Sequence, residues 1–365
     1  MSDNDARRQL ADAFGRELDP LAQYASTFEE TGIDPFEVYV EERLSTKDIS
    51  DSAVGEYHRT FREWKKHMST VDRHPACPNE DHVKGFIDYL RDDRGNAPGT
   101  VKNRLMYLNA PYQYWQDDAA FPHPTDYNPI ELAKDTVNLN GGGPKEPPRL
   151  TLDELQDVVS DITHIRDRAI VVLQLKLGLR ATEVCNIKLS ELHIQNSDVL
   201  DHYDDMGTAS GLQGRKNALY IPHDRKGNKS RRPRLLPLDD ELRAVLVRYL
   251  LIRPDNGEPW LFLSKNGRVQ MRKTAINRDV WKPNFHPEYA ETEDHRAITS
   301  HFGRHYFTTY WRVKEDLNQE LVKYMRGDTV GGTQLSDQGA IRHYLHTYYE
   351  DIEEEYRERI FKLNV

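Results

Sequence analysis

Between Asn138 and Pro148 the chain reads Asn-Leu-Asn-Gly-Gly-Gly-Pro-Lys-Glu-Pro-Pro, a stretch through which neither helix nor strand can run. It splits 365 residues into two parts, each long enough to bury a core of its own. The triple glycine lacks a preceding strand and a following Lys-Ser/Thr, so it reads as a linker and not as a phosphate-cradling loop.

Before the linker, Val54, Tyr57, Phe61, Trp64 and Met68 recur at steps of three and four, the stripe of an amphipathic helix. Val83, Phe86, Ile87 and Leu90 form a second stripe. Val101, Leu105, Leu108, Tyr112 and Trp115 form a third, with a kink expected at Pro111. Residues 45–136 therefore read as a small helical bundle. Residues 1–44, acidic and poorly patterned, read as an appendage with one or two short helices.

After the linker (137–149), Thr151-x-x-Glu154 is a capping box, and Ala169, Ile170, Leu173 and Leu177 give the next helix an apolar face that stops at Gly178. Leu219-Tyr220-Ile221 and Arg234-Leu235-Leu236 flank the turn Lys226-Gly227-Asn228, which predicts a β-hairpin with a basic tip. Helices are expected at roughly 240–252, 273–284, 300–313, 316–326 and 337–360. The fold class is mainly α with a small antiparallel sheet, a helical domain (45–136) followed by an α+β domain (150–349). The segment 350–365 extends the last helix.

The formal charge of −10 argues against a polyanionic partner until its distribution is considered. Residues 1–60 hold 14 Asp/Glu against 6 Lys/Arg. By contrast Arg215, Lys216, Arg225, Lys226, Lys229, Arg231, Arg232 and Arg234 fall within 25 residues that contain Asp224 as the sole acid. That stripe is the expected binding surface for a nucleic-acid backbone. Only 18 of the 50 cationic residues are lysine, which with the acidic excess predicts a surface suited to concentrated salt. Cys77 and Cys185 exclude a disulfide framework or a four-cysteine zinc site. His74, Cys77 and His82 lack a fourth ligand and read as structural. No membrane span or signal peptide is visible, and a cytoplasmic location is expected.

Four segments of the second part carry groups suited to a phosphodiester. Arg180, just past Gly178, offers a bidentate fork, although Glu183 at helical spacing could simply pair with it. Lys226 at the hairpin tip could donate a proton to a leaving oxygen, or sit in a solvated basic loop. His301 and Arg304 share one face at a helix start, where an anion is favoured, though His301 could be an ordinary cap. Tyr344, in Tyr-Leu-His, would need cations to activate its hydroxyl, and it is one of 19 tyrosines with Tyr348 and Tyr349 close by.

In this order, Gly-Leu-Arg-x-x-Glu, a hairpin lysine, His-x-x-Arg and Tyr-x-His resemble the tyrosine recombinases, or phage integrases, from about residue 45 to 350. The resemblance implies that Arg180 and Arg304 grip the scissile phosphate. It makes Lys226 the general acid on the 5′ oxygen, His301 an aid to proton transfer, and Tyr344 the nucleophile. It also implies a DNA clamp formed by a DNA-binding bundle and a catalytic domain, a specific double-stranded site, a homotetramer on DNA, and a C-terminal tail that docks on a neighbouring protomer or on its own domain. No metal or other cofactor is implied. A type IB topoisomerase, or a catalytically silent DNA-binding relative, would use a similar residue set. One departure stands out: where many members carry Gly-His, this chain carries Gly327-Asp328, followed by a long segment to Gln338. An ionised carboxylate beside a phosphate would repel it.

Overall fold

The computed structural model describes residues 3–47, 49–139, 145–228, 230, 232–328 and 338–365. The chain divides into two units, Met1–Pro144 and Lys145–Val365, with the boundary inside the Gly/Pro stretch. The glycines Gly141 to Gly143, Lys229 and Arg231, and the segment 329–337 lie outside the described residues.

The first unit is helical throughout: α1 (Asp3–Ala13), α2 (Ala25–Thr31), α3 (Pro35–Tyr39), α4 (Asp51–Thr70), α5 (Glu80–Asp88), α6 (Pro98–Asp117) and α7 (Pro129–Thr136). Caps set their starts, with Asp34 Oδ1 accepting from Phe36 N (3.0 Å) and Asn79 forming a capping box with His82. Helix α6 buries all five residues of its predicted stripe and continues through Pro111. The N-terminal region is not an appendage. Leu21, Phe36, Tyr39 and Leu44 are buried in the same core as Trp64 and Trp115. Phe36 packs 4.9 Å from both Phe61 and Trp115, and Trp115 Nε1 donates to Pro35 O at 3.3 Å. A few aromatic anchors bury this acidic segment without giving it a periodic stripe. Cys77 is buried, and the rings of His74 and His82 accept from Ala76 N and Asn79 N in local turns.

The second unit contains α8 (Leu152–Asp161), α9 (Ile165–Leu177), α10 (Ala181–Asn186), β1 (Leu192–His193), α11 (Ser197–His202), β2 (Ala218–Ile221), β3 (Arg234–Pro237) and α12 (Asp240–Leu250). It continues with α13 (Lys273–Ala275), α14 (Lys282–Phe285), α15 (Ser300–Thr309), α16 (Gln319–Arg326) and α17 (Gln338–Arg359). The hairpin pairs Leu219 with Leu236 and Tyr220 with Leu235. Strand β1, too short to show alternation in sequence, adds a third antiparallel strand through Leu192 and Leu219.

Helix α9 is buried on all sides from Ala169 to Leu177, which makes it the axis of the domain. Its two interior polar groups are fully engaged. Gln174 accepts from Trp281 Nε1 (2.6 Å) and donates to Leu179 O (3.1 Å), while Lys176 pairs with Asp239 (2.8 Å) and Glu241 (2.7 Å). The C-terminal tail packs on its own domain: Ile352, Tyr356, Ile360, Phe361 and Leu363 join this core, and Tyr356 Oη donates to Lys176 O at 3.0 Å. Among the described residues no helix is long and apolar enough to cross a membrane.

Candidate active site

Gly178 ends α9 at φ +62°, and a Cβ there would lie 2.7 Å from Phe307 Cδ1, so both conformation and space demand glycine. The turn delivers Arg180 to the N-terminus of α10. Its backbone N–H donates to Glu183 Oε2 (2.8 Å) and its Nη1 to Glu183 Oε1 (3.3 Å). The pairing with Glu183 and the offer of a guanidinium thus coexist, because Glu183 holds one edge of the fork and leaves Nη2 pointing away.

From α15, Arg304 reaches the same place. It is 3% exposed and donates from Nη1 to Gly178 O (2.9 Å) and Arg326 O (2.8 Å). Burial, then the charges of Arg180 and Arg326, pull its pKa down to about 9. His301, one turn earlier, is exposed at its edge and packs 4.4 Å from the His305 ring. Partial burial, followed by His305, Arg296, Arg304 and Arg326, lowers its pKa to about 4, so at neutral pH it is an uncharged proton acceptor.

Both arginines converge on Asp328. Arg180 Nη2 donates to its Oδ1 at 2.9 Å, and Arg304 Nη2 to the same oxygen at 2.7 Å. Arg326 Nε lies 3.0 Å from Oδ2 as an ion pair, without the alignment of a hydrogen bond. The departure from the family pattern is therefore not turned away from the cations. It sits among them.

Behind this cradle lies a buried ion pair that sequence reasoning missed. Arg234, with no exposed surface, donates from Nη2 to Glu183 Oε2 (2.8 Å) and from Nη1 to Glu183 Oε1 (3.1 Å) and Ser230 Oγ (2.6 Å). Burial alone would push Glu183 up, but the charge and hydrogen bonds of Arg234, with Ser230 and the Arg180 N–H, hold its pKa at about 2. Gly327, at φ +67°, closes over the pair, and a Cβ there would meet Arg234 Nη1 at 2.0 Å.

The expected DNA-contacting stripe is accordingly not uniform. Arg234 is a buried support and is not available to a DNA backbone. Arg225 is half-buried and pairs bidentately with Glu191, and Arg215 pairs with Glu350 at 3.1 Å over the Tyr349 ring. Lys216 and Lys226 are exposed. Lys226 sits in a turn tied down by Asn186 Nδ2, which donates to Lys226 O (3.2 Å) and Asn228 Oδ1 (2.9 Å). Since Asn186 ends α10 and Arg180 begins it, one short helix positions both groups. Arg232 lies 5.3 Å over the Tyr344 ring.

Tyr344, on α17, is 8% exposed and packs against Tyr324 (5.5 Å) and Tyr348 (4.9 Å). Burial raises its pKa to about 12 against the lowering charge and hydrogen bond of Arg232. Tyr348 stacks on Tyr324 at 4.9 Å, and Tyr349 is fully buried with its hydroxyl on Glu353 (3.1 Å). The structure thus gathers Arg180, Arg304 and His301, with Lys226 at the far end of α10, and gives Tyr344 a different set of neighbours.

Residues 148–328 match the phage integrase family, a span that includes Arg180, Lys226, His301 and Arg304 and stops at Asp328, short of Tyr344. Among similar proteins, the tyrosine recombinase XerD of Listeria innocua is 24% identical over 279 residues, 72% of this chain and 80% of its own length. The tyrosine recombinase XerA of Pyrococcus horikoshii is 28% identical over 203 residues, 55% of this chain and 60% of that protein. The fold is shared with the Tn1549 transposon integrase in complex with transposon right end DNA (TM-score 0.60, 16% identity, 86% of this chain and 99% of that one). It is also shared with a lambda integrase tetramer bound to a Holliday junction (TM-score 0.59, 12% identity, 92% of this chain and 88% of that one). The second unit thus carries a phage integrase family domain, and the chain is similar to tyrosine recombinases over most of its length.

Proposed function

We propose that the protein is a site-specific DNA recombinase that cuts and rejoins double-stranded DNA through a 3′-phosphotyrosyl link to Tyr344, acting as a homotetramer on its site. The observation that carries this is the convergence of Arg180 and Arg304, from segments far apart in sequence, on a single anionic oxygen. Two forked donors set at one oxygen suit a nonbridging phosphate oxygen whose charge grows in the transition state. The Tyr344 oxygen bonds to phosphorus as the bond to the 5′ oxygen breaks. Neutral His301 is suited to take the phenolic proton, and Lys226 to supply one to the 5′ leaving oxygen. Attack by a partner strand's 5′ hydroxyl reverses these roles and releases the tyrosine. Exposed Lys216 and Lys226, with Lys229, Arg231 and Arg232, are the proposed backbone contacts.

A duplex carrying the protein's own recombination site, nicked so that the cleaved end diffuses away, should trap a covalent adduct with the native chain and none with Tyr344→Phe. An adduct that persists in Tyr344→Phe would move the nucleophile to another tyrosine. Supercoil relaxation without recombinant joints would favour a topoisomerase, and no adduct under any salt would leave a DNA-binding relative.

A further inference from the structure

Asp328 stands where the reading above puts a phosphate. Its Oδ1 takes one donor from each of Arg180 and Arg304, and its Oδ2 faces Arg326. We propose that Asp328 is an internal occupant of the phosphate site, displaced when DNA enters, and that Arg326 is a third phosphate-gripping side chain beside Arg180 and Arg304. This rests on the recombinase reading for the identity of the anion.

Three observations separate an occupant from an ordinary ion pair. First, the arginines stay in place without it. Arg304 is held by Gly178 O and Arg326 O, and Arg180 by Glu183 and Ser230 Oγ, so the two Nη2 donors would be left aimed at the vacated place. Second, four guanidiniums, Arg180, Arg234, Arg304 and Arg326, face two carboxylates, Glu183 and Asp328. Exchanging Asp328 for a singly charged phosphodiester leaves the local charge unchanged, whereas an uncharged ligand would strand an excess of buried positive charge. Third, accessibility differs across the cluster. The side chain of Asp328 is 28% exposed and that of Arg326 29%, against none for Glu183 and Arg234, so the carboxylate lies on the solvent side and can leave without opening the core. Arg326 also comes from the C-terminal turn of α16, whose last carbonyl Arg304 already holds, which fixes the point from which its guanidinium reaches.

A ligand that must expel a resident group binds more weakly by the fraction of molecules in which the site is open. The test uses the full chain and inorganic sulfate as the probe, at constant ionic strength with chloride as the balancing ion, read by calorimetry. Asp328→Asn and Asp328→Ala should each bind sulfate about tenfold or more tightly than the native chain. Arg326→Gln, introduced into Asp328→Asn, should reverse most of that gain. Sulfate affinity unchanged or weakened in both Asp328 variants would overturn the proposal, and so would an Arg326→Gln change without effect. Melting in sulfate-free buffer is the companion measurement: if neither Asp328 variant folds, Asp328 belongs to the scaffold and the proposal fails. Sulfate reads the site without strand cleavage. A gain in sulfate affinity with no covalent DNA adduct would therefore sink the recombinase reading alone.

Discussion

The two halves of the candidate site are built in opposite ways. Arg180, Arg304 and His301 sit on short, heavily braced elements: a glycine-terminated helix, the Arg180 N–H received by Glu183, and a buried Glu183–Arg234 pair behind them. Tyr344 sits on a long helix, its ring among Tyr324, Tyr348 and Arg232, with burial suppressing ionisation of its hydroxyl. Arg180 and Arg304 are braced by Glu183, Ser230 and backbone carbonyls, while Tyr344, the proposed nucleophile, has aromatic neighbours and Arg232. Preorganised charge saves reorganisation at the moment of reaction. If Tyr344 is the nucleophile, a packed and protonated hydroxyl guards it against reaction with a stray phosphate.

The contrast can be broken most forcefully at its base. Glu183→Gln leaves Arg234 buried without a counter-charge and should lower stability by about 3–5 kcal/mol in urea unfolding. The Glu183 pKa is depressed from 4.5 to about 2, so its contribution is present above pH 4.5 and is lost as pH falls from there toward 2. The Gln variant should lack that acid-side slope. A loss below about 1 kcal/mol would mean the cradle does not depend on its buried support.

Next in size, Arg304→Lys keeps the charge but not the fork. It should slow adduct formation by about 10²–10³-fold while duplex binding falls far less. Equal losses in both would mean that Arg304 positions DNA and does not stabilise the transition state. A smaller effect concerns His301. A bound phosphate should raise its pKa from about 4, so a proton is taken up on binding and duplex affinity should rise as pH falls toward 4, by less than tenfold per pH unit. His305, the other titrating ring facing it, is retained in His301→Gln, which should flatten the dependence; an unchanged slope would assign it to His305. Smallest of all, Tyr348→Phe keeps the stack on Tyr324 and should alter stability by no more than about 0.5 kcal/mol and adduct yield by less than about twofold. A large loss there would exchange the roles of Tyr344 and Tyr348.

Much of the fold was legible because its helices carry one-sided stripes, as α6 does from Val101 to Trp115. Regions buried on every side were harder. In β3 all four residues are buried, so Arg234 stands in a basic run with nothing in the alternation to mark it as interior. Its partner Glu183 is 51 residues away, and sequence spacing offered only the local pairing with Arg180. The N-terminal 44 residues hid their role for another reason, since Phe36 and Tyr39 anchor them through tertiary contacts and not through periodicity. The candidate site residues were legible as chemical types in order. The resemblance already set Arg180 beside Arg304; that both would hold Asp328 was not legible, because a carboxylate there was expected to repel a phosphate.

The tail has a mechanical consequence. Lys362 pairs with Asp239 at 2.8 Å, and the backbone N–H groups of Leu363 and Val365 are received by Glu241, so the chain just beyond α17 is tethered to the start of α12. Tyr344 stands about 22 Å along the helix axis from Arg359. A helix held there, and packed through Tyr349, Ile352 and Tyr356, cannot slide, so any displacement of Tyr344 would have to come from its opening turns. Loosening the clasp should therefore change how freely Tyr344 can move without altering Arg180, Arg304 or Lys226.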